Sequence, residues 1–80
     1  MAWPEREAVT ERTKRMGRRL QEVRMADGLS LSKLAAETGV LSKSRISNYE
    51  RGARRVGLEQ AEVLARCLAV SPAYLLMLEE

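Results

Sequence analysis

The sequence predicts an all-α domain of five helices, and three observations carry that expectation. Apolar residues recur at three- and four-residue intervals in five separate stretches. Serines that suit helix starts stand at Ser30 or Ser32, at Ser42 and at Ser71, and glycines that suit helix ends stand at Gly28, Gly39 and Gly52. No stretch alternates apolar and polar residues over the length of a strand, so no sheet is expected.

Met1 to Trp3 show no periodicity and read as a loose arm. Pro4 suits a first helical position, where its missing N–H has no partner to lose, and Glu5 and Glu7 favour the positive end of a helix dipole. Val9, Thr13, Met16, Leu20 and Val23 then fall within about 100° on a helical wheel, the width of a core-facing stripe, and Asp27-Gly28 stops the helix. Gly17 weakens this pattern by roughly 1 kcal/mol relative to Ala, which leaves a start only near Arg15 as the alternative. A second helix, capped by Ser30 or Ser32, turns Leu31, Leu34 and Ala35 inward and ends at Gly39. Val40 and Leu41 anchor the turn to a third helix, capped by Ser42, with Ile46 and Tyr49 on its inner side and Arg51-Gly52 at its end. After a basic loop, Leu58, Ala61, Leu64, Ala65 and Leu68 mark a fourth helix; Ser71-Pro72 opens a fifth that runs through Tyr74, Leu75 and Leu78.

Eighty residues make one domain, too small to enclose a large active-site cavity. Fourteen Lys and Arg against eleven Asp and Glu give a net charge of only +3, but the charge is unevenly spread. Arg12, Lys14, Arg15, Arg18 and Arg19 form a run without acids, and residues 43–55 carry five cations against Glu50. From Val56 onward Arg66 alone faces Glu59, Glu62, Glu79 and Glu80. The chain is therefore polarised, with its basic part in the first and middle segments. The absence of His and the single Cys67 exclude His-dependent triads and His/Cys metal clusters, and there is no phosphate-binding Gly loop, so no cofactor and no enzymatic activity are expected. Without a signal peptide or an apolar span, the expected location is the cytoplasm, with no membrane partner.

The stretch LSKLAAETGVLSKSRISNYERG, residues 31–52, organises the rest. At the helical repeat, Ile46 and Tyr49 share one side while Ser44, Ser47, Asn48 and Arg51 occupy the other. Together with LQEVRMADGLS before it and LEQAEVLARCLAVSPAYLL after it, this stretch resembles the lambda-repressor-like, Cro/C1-type helix-turn-helix domain, also called the xenobiotic-response-element family. The resemblance covers about three-quarters of the chain, from about Met16 to Leu76. It implies a compact five-helix bundle whose third helix enters the DNA major groove. The whole chain, 1–80, then reads as a single helix-turn-helix domain, with 1–14 an N-terminal extension and the motif at about 31–51. Three departures stand out. One extra residue lies near Leu41, Leu31 replaces a Gln that commonly contacts phosphate, and Val56 and Ala69 stand where Pro and Gly are common.

The resemblance makes Lys43, Ser44, Arg45 and Asn48 the base-reading residues, with Lys or Arg suited to guanine and Asn to adenine. On an isolated helix the same residues would be an ordinary solvated face. Ser42, Arg51, Arg54 and Arg55 flank the helix and are expected to hold phosphates. The Arg12 to Arg19 run either touches phosphates or solvates its helix. Arg24 and Glu50 match a charged pair that ties the first helix to the third in family members, or else are unrelated surface charges. Cys67 is expected to fill a packing site. Trp3 and Leu75 to Leu78 supply apolar surface for a homodimer contact.

The expected function is therefore sequence-specific binding of double-stranded DNA by a transcriptional regulator, a repressor acting as a homodimer. The alternative is an antitoxin or a bridging factor whose main partner is another protein, such as a toxin.

Overall fold

The computed structural model describes residues 4–78, with side chains from residue 11 onward. Its elements are α1 (Pro4–Ala26), α2 (Leu31–Thr38), α3 (Lys43–Glu50), α4 (Leu58–Leu68) and α5 (Pro72–Leu75). The described residues contain no strand, as the spacing of apolar residues predicts. The expectations for Met1 to Trp3 and for the Val9 side chain lie outside what is described.

Local chemistry sets most boundaries. Ser30 is the cap of α2, its Oγ accepting the Lys33 N–H at 3.0 Å, so Ser32 is not. Ser42 caps α3 by accepting the Arg45 N–H at 3.1 Å, and Ser71 caps α5 by accepting the N–H groups of Ala73 and Tyr74. Gly28, Gly39 and Gly52 all adopt left-handed backbone just past a helix. Ala69 takes that same conformation after α4, at φ 57°, which accounts for the Gly common there in the family: a Cβ makes this backbone costlier by about 1 kcal/mol.

The fifth helix is shorter than its spacing predicts. It stops at Leu75 because Met77 turns left-handed, and the N–H groups of Met77 and Leu78 bond back to Tyr74 and Ala73. The turn between α2 and α3 also differs from expectation. Thr38 holds it, its Oγ1 accepting the Leu41 N–H at 3.0 Å, so that Leu41 is buried while Val40 stands 74% exposed and anchors nothing. Leaving Val40 in solvent lets Ile46 and Tyr49 point inward despite the longer connection.

The core is formed by Leu20, Leu34, Leu41, Ile46, Tyr49, Val56, Ala61, Leu64, Ala65, Leu68 and Leu75. Thr13 and Met16 of the predicted α1 stripe are buried and Val23 is half-buried. Leu58 is not part of the α4 core face; it is exposed. Cys67 packs against the core, where burial pushes its thiol pKa up and so disfavours the reactive thiolate.

Two contacts hold α1 against α3. At Gly17 the helices approach so closely that an added Cβ would lie 2.2 Å from the Tyr49 carbonyl oxygen and 2.7 Å from that of Glu50. Gly17 is thus the close-approach point of a helix that runs through it unbroken, and the later start near Arg15 is not what is found. Two turns further on, Arg24 grips Glu50 with two bonds, Nε to Oε2 at 2.6 Å and Nη2 to Oε1 at 3.0 Å. Its Nη1 donates to the Leu29 carbonyl at 2.7 Å. The pair is buried, the Glu50 side chain being only 4% exposed, so these are not unrelated surface charges. Bonding to the Glu50 carboxylate raises the pKa of Arg24 above its already high ordinary value.

Two alanine–glycine exchanges should have effects opposite to those helix propensity suggests. Gly17→Ala gains roughly 1 kcal/mol in propensity but forces α1 off α3, and a net loss of about 1–3 kcal/mol is expected. Ala69→Gly should gain about 1 kcal/mol. Urea unfolding of both variants measures this, and a more stable Gly17→Ala protein would contradict the close packing. Arg24→Ala strands a buried carboxylate and should cost about 3–5 kcal/mol, whereas Arg24→Met with Glu50→Leu should recover most of that loss. Equal losses in the single and double variants would show that the burial argument is wrong.

Candidate nucleic-acid interface

The candidate site follows from how α3 is clamped. Ile46 and Tyr49 are completely or almost completely buried, and Glu50 is tied to α1, so the rotation of α3 about its own axis is determined. Ser44 therefore faces outward, exposed, and Lys43, Arg45 and Arg51 are exposed as well. Asn48 is half-buried. A shallow groove is lined by Leu31, Lys43, Ser44, Ser47, Asn48 and Arg51. The structure thus gathers three of the four residues expected to read bases, Lys43, Ser44 and Asn48, with one expected phosphate residue, Arg51. Arg45 is exposed but does not line this groove.

Ser47 lies in the same groove and was absent from the expected reading set. Its signal was present in the helical wheel, which places it on the polar side beside Ser44 and Asn48. Leu31 also lines the groove, so an apolar, half-buried side chain stands where the Gln common in the family would offer a phosphate donor.

Two hydrogen bonds organise the far end of α3. Arg51 donates through Nη2 to Asn48 Oδ1, which orients the Asn48 amide. An amide oxygen has two lone pairs and its nitrogen two protons, so Asn48 so held retains one acceptor position and both donors for a base edge. The Asn48 carbonyl accepts the N–H groups of Ala53 and Arg54, at 2.9 and 3.3 Å, and this draws the basic loop back under the helix.

The four expected phosphate residues separate. Ser42 is the cap of α3 and Arg51 lines the groove, while Arg54 is exposed on the loop. Arg55 is exposed too, but it lines a second, mostly apolar groove together with Arg12, Thr13, Met16, Val56, Leu58, Leu76 and Leu78. The Arg12 to Arg19 run divides in the same way. Arg19 is turned to α5, its Nη1 2.9 Å from the Tyr74 carbonyl oxygen and its guanidinium 4.2 Å from the Tyr74 ring centroid. Its role is tertiary packing. Of the residues expected to supply dimer surface, Leu75 is buried in the core, Leu76 and Met77 are half-buried, and Leu78 is 63% exposed; Trp3 lies outside the described residues. Among the described residues no helix is long and apolar enough to cross a membrane.

Comparison with known proteins agrees with this architecture. A helix-turn-helix family model matches residues 20–75, which include all of α2, α3, α4 and α5. Among solved structures, the restriction-modification controller protein C.AhdI from Aeromonas hydrophila superposes with a TM-score of 0.77 at 38% sequence identity. The match covers 82% of this chain and 94% of that one. No curated protein matches the sequence closely. These relationships do not favour an antitoxin or bridging role. The chain belongs to the Cro/C1-type helix-turn-helix family and is a DNA-binding transcriptional regulator.

Proposed function

We propose that the protein is a sequence-specific repressor that inserts α3 into the major groove of double-stranded DNA, binds as a homodimer and performs no chemistry on its ligand. The observation that carries this reading is the clamped rotation of α3, which leaves Ser44, Ser47 and Asn48 outward while Ile46 and Tyr49 are buried. Short hydroxyl side chains permit close approach to base edges, Asn48 suits adenine, and Lys43 or Arg45 suits guanine. Ser42, Arg51 and Arg54 sit around this surface and hold phosphates, which set register without reading sequence. Arg55, on the other groove, is the weakest member of that group. Likeness to a restriction-modification controller suggests that the regulated genes are of that kind.

A single reading helix covers one half-site, so a two-fold pair would read two half-sites about one helical turn apart. The second apolar groove offers the contact. Leu58 and Leu78 are each 63% exposed at its edges, and Val56 and Met16 lie beneath them. A second copy of the chain is the occupant that DNA symmetry calls for. Occupying a promoter in this form blocks transcription. The expected setting is the cytoplasm.

Selection from a random duplex library should return a pseudo-palindrome. Against that site, Ser44→Ala with Asn48→Ala should change which bases are preferred. Arg54→Ala should weaken all sequences alike and lower the salt slope by about 0.9 for each lost phosphate contact. If both sets weaken binding uniformly, the division between reading and positioning is wrong. Leu58→Lys with Leu78→Lys should shift the sedimenting species from dimer to monomer without unfolding it; an unchanged dimer places the contact elsewhere.

A further inference from the structure

The first half of α1 lies outside the matched helix-turn-helix region, which begins at residue 20. It nevertheless sits against the reading helix. An added Cβ on Gly52, at the start of the basic loop, would lie 2.9 Å from Lys14 Cα and 2.8 Å from Lys14 Cγ. Gly17 meets the last carbonyls of α3 in the same way. The segment from Lys14 to Arg18 therefore crosses directly over the end of α3, where Arg51 and Arg54 emerge.

Helical geometry sorts the cations of this segment. Lys14 and Arg18 are four residues apart and share a face. That face is the flank of α1 that adjoins Gly52. Both are exposed, and neither forms a salt bridge among the described residues. Arg15, also exposed, lies about 100° around the helix from Lys14 and so farther from Gly52. Arg12 faces the apolar groove and Arg19 is bound to Tyr74, so neither belongs to this flank.

We propose that Lys14 and Arg18 form a phosphate-binding site on α1 that lengthens the cationic track begun by Arg51 and Arg54, and so extends the DNA footprint beyond the helix-turn-helix motif. The inference rests on the DNA-binding reading above. Its ligand is the sugar–phosphate backbone of duplex DNA, engaged through charge with no base specificity. The two cations also lie near the negative end of the α3 dipole, and a role confined to that contact would change stability and leave the salt slope of binding unaltered.

The test uses the full chain and the duplex selected above, with binding followed by fluorescence anisotropy between about 0.05 and 0.3 M salt. Lys14→Gln with Arg18→Gln should lower the salt slope by roughly 1.8 per subunit. That corresponds to a loss of roughly 10–100-fold in affinity for each bound subunit near 0.1 M salt, with sequence preference unchanged. The control is Arg66→Glu, the same change in net charge at an exposed position on α4. It should leave the slope within experimental scatter of the parent. A thermal melt confirms that each variant is folded. Equal effects of the double variant and the control would reduce the result to net charge, and no effect of the double variant would remove the site; either overturns the proposal. A parent protein that binds no duplex at all would instead overturn the DNA-binding reading on which it stands.

Discussion

The protein depends on how closely α1 can lie across the end of α3. Gly17 removes the one side chain that would separate them, and Arg24 then reaches Glu50 with one edge of its guanidinium while its third nitrogen holds the α1–α2 turn at Leu29. A buried charged pair of this sort contributes less net stability than its distances suggest, because desolvation opposes the attraction. Its value here is orientational. A two-toothed bond to a residue near the end of an eight-residue helix resists rotation of that helix in a way that the packing of Ile46 and Tyr49 alone would not.

Everything exposed on α3 inherits its direction from that clamp. A short helix has little cooperative stability of its own, and α3 carries two serines, an asparagine and a β-branched isoleucine among its eight residues. It is held at its start by Ser42, along its inner face by the core, and at its end by Glu50 and by the loop amides that bond to Asn48. The reading surface is therefore rigid where it touches the bundle and adaptable only in its side chains. Such a surface loses little conformational freedom when it docks. The bond from Arg51 to Asn48 extends the same economy of motion to an amide that is expected to meet a base.

The two flanks of α1 carry different tasks. One adjoins the α3–α4 loop and bears Lys14 and Arg18; the other turns to α4 and α5 through Met16, Arg12 and Arg19. The same division separates Arg54 from Arg55, neighbours in sequence that end on different surfaces. Val56, buried directly after them, pins the loop and compels that parting.

Sequence alone determined the five helices, the caps at Ser42 and Ser71 and the two faces of α3, because these depend on nearest neighbours: a serine hydroxyl reaching an amide three residues on, a left-handed glycine, an apolar residue every third or fourth position. It also placed Ser47 on the reading side, although only the folded groove showed that it belongs with Ser44 and Asn48. What lay beyond sequence was every choice between equivalent local options. Gly17 reads as a helix weakness until Tyr49 is seen against it, Leu58 and Val40 fit an apolar pattern yet stay in solvent, and a helix through Leu78 is cut short by one left-handed methionine. The five cations between Arg12 and Arg19 look alike on paper. Only tertiary packing, which brings together groups far apart in the chain, turned Arg19 to a tyrosine ring, Arg12 to an apolar groove and Lys14 to the loop beside the reading helix.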